Sequence, residues 1–363
     1  MKILILGDAS NYHRALSLAL TDMGHEVTLG SDGGNWMRTG NDIDLSRREG
    51  RLGGLTLYAR LKMLSLRDFR GYDVVQLCGP GFVNLRPQRQ LELFHSLKRH
   101  NGRVFMTALG DDSEYVRACL DGIAGMPYTD WDHRQDEARK WLSPELTDYT
   151  RRIYDGLDGI VSALYEYHRA VETTNPHIPL TYAGIPVDTY AVSPVRPSRE
   201  EGPLTMMVTC HRGREVEKGS DVLNQVANRL EATLPPDCLH VVRPENVPYS
   251  RFVELLKSAD IVMDQLYALT PATTALLTMA LGRTPVTGGS PLYYDFIGEA
   301  DLRPIIHTEY PEIHTLENHL AHLIGTREGR GKLRQMQADA HTFVARHNDS
   351  RVVAQRFLNA WTK

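Results

Sequence analysis

The residues of this chain that could do chemistry fall in two stretches. The first, from Pro203 to Asp221, reads PLTMMVTCHRGREVEKGSD. Its opening, Leu204 to Thr209, is a β-type apolar run. Arg212, Arg214 and Lys218 crowd the loop behind it, and Gly213 and Gly219 permit tight turns there. Arginine grips a phosphate with two parallel N–H bonds and lysine adds a point charge, so the cluster suits a diphosphate. A solvated loop partly neutralised by Glu215 and Glu217 is the plainer alternative. The second stretch, Ser258 to Gly289, reads as strand, loop, helix, turn, strand. Thr270 is expected to cap a helix with Pro271 in its first position, and Gly282 to stop it. Such a helix presents free N–H groups and a positive dipole end at its start. Thr273 and Thr274 would add hydroxyls.

Weaker candidates lie elsewhere. His13 opens the first expected helix and is either an acceptor-side group or a plain helix residue. Asp111 and Asp112 follow a strand end, where a catalytic or acceptor-binding loop would lie. Adjacent acids before Ser113-Glu114 are equally a helix N-terminal signal. Arg47, Arg48 and Arg51 sit in a polar loop from Ser31 to Arg51. His314, His319 and His322 have no carboxylate or cysteine in ligand register, so no metal site is expected.

These residues need elements to hold them. Short apolar runs at Ile3 to Leu6, Glu26 to Leu29, Asp73 to Leu77, Val104 to Thr107 and Gly159 to Ser162 alternate with helical patterns, which predicts a parallel α/β arrangement. No GxGxxG follows the first strand, so it is no dinucleotide fingerprint. A proline-bearing stretch from Ala191 to Gly202 reads as a stiff linker. The expected organisation is therefore an N-terminal domain over 1–190, a linker over 191–202, a second domain over 203–345 and a final helix over 346–363. The 363 residues, 42% hydrophobic and 24% charged, suit two globular domains. A formal net charge of −4 argues against a nucleic-acid surface. Four widely spaced cysteines suggest no disulfide framework, which favours a reducing, cytoplasmic setting. No run reaches the length of a membrane span or a signal-peptide core.

Taken together, the order strand, GR…KGSD, helix, strand, helix, SADIVMDQ, helix, MALGRTPV resembles the C-terminal half of GT-B glycosyltransferases of the large retaining, metal-independent group 1. The opening strand–helix–GHEVT and the IPLTYAGIPVDTY segment are similar to that group as well. The resemblance implies α/β GT-B architecture: two Rossmann-like domains facing a cleft, with Phe357, Leu358 and Trp361 packing the last helix on the first domain. It also implies a donor that is a nucleotide-diphosphate sugar, no further cofactor, and a carbohydrate or lipid-linked acceptor, as in polysaccharide or glycoconjugate synthesis. Peripheral membrane contact would follow from a lipid-linked acceptor. The donor phosphates would fall to Arg212, Arg214, Lys218, Thr273 and Thr274, with His13 and Asp111 as catalytic candidates in the first domain. One departure stands out. The group's pair of glutamates, eight residues apart, falls on Leu269 and Leu277, and Asp264 or Glu299 is left to take the ribose. A sugar-nucleotide 2-epimerase-like enzyme and a non-catalytic scaffold are the alternatives.

Overall fold

The structure is a computed structural model that describes residues 1–33, 37, 40–50, 52–122, 135–210, 213, 215–308 and 312–363. The chain divides into two compact units. Unit 1 is Met1–Pro186 with Ser350–Lys363, and unit 2 is Val187–Asp349.

Unit 1 is built on seven parallel strands: β1 (Lys2–Leu6), β2 (Glu26–Ser31), β3 (Ile43–Asp44), β4 (Val74–Cys78), β5 (Arg103–Ala108), β6 (Gly159–Ser162) and β7 (Leu180–Tyr182). Their order is β3-β2-β1-β4-β5-β6-β7. The crossovers are made by α1 (Tyr12–Asp22), α2 (Gly53–Arg67), α3 (Pro87–His100), α4 (Ser113–Leu120), α5 (Gln135–Trp141), α6 (Pro144–Tyr154) and α7 (Tyr165–Thr174). Strands covered on both faces must be apolar throughout, and Ile3, Leu4, Ile5 and Leu6 are all fully buried. The expected loop over 31–51 contains β3, which pairs with β2 at Gly30 and Ser31. Its Arg51 lies outside the described residues.

Unit 2 has five parallel strands, β8 (Leu204–Val208), β9 (Leu239–Val242), β10 (Ile261–Met263), β11 (Thr284–Thr287) and β12 (Ile306–His307), in the order β12-β11-β10-β8-β9. Its helices are α8 (Glu215–Lys218), α9 (Ser220–Thr233), α10 (Tyr249–Ser258), α11 (Thr273–Ala280), α12 (Pro291–Ile297), α13 (Ile313–Gly325) and α14 (Arg327–His347). One face of the sheet packs Met206, Val208, Met263 and Val286 with Leu223 and Leu320 of α9 and α13. The other packs Met207 and Val262 with Phe252, Leu256 and Leu281.

Two boundaries differ from expectation. Residues 191–202, read as a stiff linker, fall within unit 2 as a strap held against it. Val195 N–H donates to Leu281 O at 3.0 Å, and Ser198 N–H donates to Gln337 Oε1 at 2.8 Å. The Ser198 hydroxyl donates to Asp260 at 2.6 Å. Prolines that read as a stiff spacer here keep an extended segment straight enough to meet these partners. The final helix, α15 (Ser350–Thr362), begins at Ser350 because α14 runs on to His347. It belongs to unit 1, where Phe357 and Trp361 are buried beside Tyr12 of α1, with 6.3 Å between the Tyr12 and Phe357 rings.

Candidate functional site

In an open parallel sheet, ligands bind beyond the carboxyl ends of the strands where the strand order reverses. In unit 2 that point lies between β8 and β10, because β9 follows β8 on one side and β10 lies on the other. The end of α8 is locked to the loop after β10. Leu266 N–H donates to Lys218 O at 2.7 Å. Gly219 sits at φ 67°, and a Cβ there would stand 2.5 Å from Leu266 Cβ. Only glycine both adopts that left-handed backbone and admits that approach, so it fixes Lys218 at the reversal point. Neither Ser220 nor Asp221 caps α9; Gly219 occupies that position.

Asp264 follows β10 at the same point. It lies two residues beyond Val262 and so shares the α10–α11 face of the sheet. It is 1% exposed, and its Oδ1 has no hydrogen-bond partner among the described residues. Burial raises its carboxyl above the ordinary range, and the Lys218 ammonium opposes the rise. Thr287, ending the neighbouring β11, also carries a buried hydroxyl without a partner among the described residues. Two buried polar atoms without partners among the described residues thus lie at neighbouring strand ends.

α11 opens two residues later than its sequence suggests. Its N-cap is Ala272, not Thr270, and no side chain caps it. Upstream, Ser290 N–H donates to Leu269 O at 3.2 Å. Thr273 and Thr274 begin the helix half-buried, and no side chain among the described residues caps it.

The two leucines have different surroundings. Leu277 packs against the cluster of Met207, Phe252, Leu256 and Val262, and Leu269 lies in the loop before α11. Glu299 does not take a ribose-binding place. It is 4% exposed and accepts from Arg346 at 2.7 Å and His347 at 2.8 Å, and from the N–H groups of Asp301 and Leu302. Burial alone would raise its carboxyl, but these bonds hold it down at about 2. Arg212 and Arg214 lie outside the described residues. Among the described residues no three His, Cys, Asp or Glu side chains gather as a metal set.

In unit 1 the reversal lies between β1 and β4. His13 is near it but is fully buried, and both ring nitrogens are engaged. Nδ1–H donates to Gly7 O at 2.9 Å, and Nε2 accepts from the Thr107 hydroxyl at 2.8 Å. Gln76 Nε2 donates to the same Thr107 oxygen at 3.0 Å, and Trp361 Nε1 donates to Gln76 Oε1 at 3.0 Å. This directional chain runs from α15 through the sheet to the β1–α1 loop. It was missed in the sequence, where only a glutamine inside the strand run DVVQL hints at it. Burial lowers the His13 pKa to about 4, with Asp8 and the Gly7 carbonyl opposing. It is thus a neutral positioning residue, not a proton carrier. Asp112 caps α4, accepting from Glu114 N–H at 2.9 Å and Tyr115 N–H at 2.8 Å. Asp111, half-buried beside it, follows β5 within electrostatic reach of Tyr115 and Tyr167.

The chain has the GT-B glycosyltransferase fold, each unit a parallel sheet flanked by helices. It is similar to the sucrose-phosphate synthase of Thermosynechococcus elongatus, with TM-score 0.67 and 11% identity over 100% of this chain and 98% of that one. An alpha-glucosyltransferase solved with UDP-glucose and DNA containing an abasic site matches with TM-score 0.57 and 14% identity over 100% of both chains. A structure described as a UDP-N-acetylglucosamine 2-epimerase of Listeria monocytogenes matches with TM-score 0.55 and 10% identity, over 98% and 94% of the chains. No protein-family model and no curated protein matches the sequence. Among the described residues no helix is long and apolar enough to cross a membrane.

Proposed function

We propose that the chain is a retaining glycosyltransferase that takes its sugar from a nucleoside-diphosphate donor bound at the carboxyl end of the unit 2 sheet. The observation that carries this reading is the buried Asp264 carboxyl at the strand-order reversal, within electrostatic reach of Lys218 and with its Oδ1 without a partner among the described residues. Lys218 and the first N–H groups of α11 hold the diphosphate, and Arg212 and Arg214 complete the cation set. Negative charge grows on the departing diphosphate as the glycosidic bond breaks. Fixed cations and helix dipoles stabilise that charge without a metal ion, each such donor contributing on the order of 3 kcal/mol. Asp264 and Thr287 take donor hydroxyls in place of the glutamates that Leu269 and Leu277 replace. Asp111 is the proposed acceptor-side acid in unit 1. The acceptor is a carbohydrate, free or lipid-linked, in glycoconjugate synthesis.

The test is calorimetry against a panel of nucleoside diphosphates and their sugars, with product analysis by NMR. One or more should bind, and Lys218→Ala should weaken binding by about 1–3 kcal/mol, the range for a charged hydrogen bond. Failure of every donor to bind would leave a non-catalytic scaffold. Conversion of a nucleotide sugar to its 2-epimer without an acceptor would replace transfer by epimerisation, the activity under which one similar structure is described.

A further inference from the structure

Two loops leave the carboxyl ends of unit 1 strands carrying arginines. Arg47 and Arg48 follow β3, and Arg86 follows β4 as the N-cap of α3. β2 and β1 lie between those strands, yet the loops meet, because Arg47 Nη1 donates to Asn84 Oδ1 at 3.4 Å. The paired glycines at the start of α2 make the approach possible. A Cβ on Gly53 would collide with the Arg48 carbonyl oxygen, so only glycine admits the loop there. Gly54 leaves the Arg47 guanidinium room to lie against the first turn of α2, 3.3 Å from where a Cβ would stand. Arg89, in the first turn of α3, donates from Nη1 to Gly54 O at 3.3 Å, and its guanidinium lies 4.7 Å from the centre of the Tyr58 ring. Two guanidinium groups thus meet one residue, with Arg48 and Arg86 beside them in sequence.

None of these four arginines has an acid within ion-pair distance among the described residues. Neither α2 nor α3 has an acid in its first turn. Glu92, within electrostatic reach of Arg89, is held by Lys62 at 3.0 Å and by the Tyr58 hydroxyl. Asp44, at the end of β3, accepts from Ser46 N–H at 2.8 Å. Glu49 is exposed in the same loop and pairs with none of the four among the described residues. Like charges held together repel, and a bound anion relieves that cost.

We propose that Arg47, Arg86 and Arg89 form a subsite for an acidic saccharide, whose carboxylate or phosphate the guanidinium forks grip. Asn84 spends Oδ1 on Arg47, which leaves its amide N–H groups to donate to a sugar hydroxyl. The place suits a substrate group: ligands of an open parallel sheet bind beyond the carboxyl ends of its strands, and β4 borders the strand-order reversal. The formal net charge of −4 argues against a polynucleotide as the anion. That this saccharide is the acceptor rests on the transfer reading above; its binding needs no donor.

The experiment exposes the full chain, without nucleotide, to an array of oligosaccharides that includes galacturonate oligomers, phosphorylated hexose oligomers and their neutral counterparts, followed by titration calorimetry of the member retained best. Acidic members should be retained and the neutral counterparts should bind about tenfold more weakly or less, with the difference shrinking as salt is added. Arg47→Gln with Arg86→Gln should weaken binding of the acidic member about tenfold or more. Arg47→Lys should lose part of that, since an ammonium cannot grip two oxygens at once. Arg99→Gln, in the last turn of α3, should change nothing, which separates the subsite from general charge attraction. All three arginines changed are exposed, so unaltered circular dichroism and melting keep the comparison fair. Retention of no acidic member, equal binding of the neutral counterparts, or an equal loss from Arg99→Gln would overturn the inference. So would competition by inorganic phosphate at the same concentration as the saccharide, which would mark a free-anion site. Nucleotide binding by the same variants should be unchanged. Saccharide binding without any nucleotide binding would remove the transfer reading alone and leave an acidic-saccharide-binding protein.

Discussion

Asp264→Asn separates the cost of the donor site from its use. The carboxyl is 1% exposed and Oδ1 is without a partner among the described residues. A buried polar group left unpaired costs about 1–3 kcal/mol, and more when it is charged. Burial raises the Asp264 pKa, so the neutral form is favoured in the folded state. A raised value means that the group costs nothing below its unfolded pKa, and that the penalty grows as pH rises through the folded one. Asparagine removes the ionisable proton without changing the shape. The variant should therefore be more stable at pH 7, because the buried amide, although still polar, carries no charge. The gain should appear as a higher melting temperature, about 2–4 °C for each kcal/mol in a unit of this size, and should vanish toward about pH 3. At the same time the variant should bind a nucleotide sugar more weakly, because a hydroxyl that donates to a carboxylate meets an amide instead. Scanning calorimetry at both pH values, following the transition that nucleotide shifts, measures the first effect; isothermal titration measures the second. A variant that is less stable at pH 7 would refute the reasoning, since it would show that Lys218 already compensates the carboxylate in the free protein.

Three further outcomes follow from the same geometry. Leu277→Glu should lower unit 2 stability by at least about 2 kcal/mol, because it places a carboxylate among Met207, Phe252 and Val262; a rise in donor affinity would instead show that the ribose lies against this turn of α11. His13 is held near 4, so its stabilising effect is complete above the ordinary histidine value and lost as pH falls from about 6.5 to 4. It amounts to about 3 kcal/mol, which His13→Leu should erase from the pH dependence of unfolding. Gly219→Ala forces a left-handed backbone on a residue with a side chain and a clash with Leu266, so nucleotide binding should weaken along with a loss of about 1–2 kcal/mol or more of stability; unchanged binding would show that Lys218 needs no such lock.

Much of this protein is written locally. Apolar runs such as Ile3–Leu6 and Ile261–Met263 have the length and composition of strands buried on both faces, and their alternation with helical patterns points to parallel α/β units from the chain alone. The helix after β10 was legible for the same reason, since helix propensity acts over a few residues. What neighbours along the chain cannot decide is what a side chain meets across the sheet. Asp264 is one acid among many in the sequence, and only the strand order puts it within electrostatic reach of Lys218, with Oδ1 unpaired among the described residues. Thr270 is a fair N-cap by type, yet α11 takes Ala272 as its N-cap. His13 has the residue type of a catalyst, and contacts with Thr107, 94 residues away, make it a buried strut. Glu299 looked free to bind sugar until the end of α14 claimed it. Local preference sets which elements form; burial and pairing between distant segments set which polar groups are spent on structure and which are left over for a ligand.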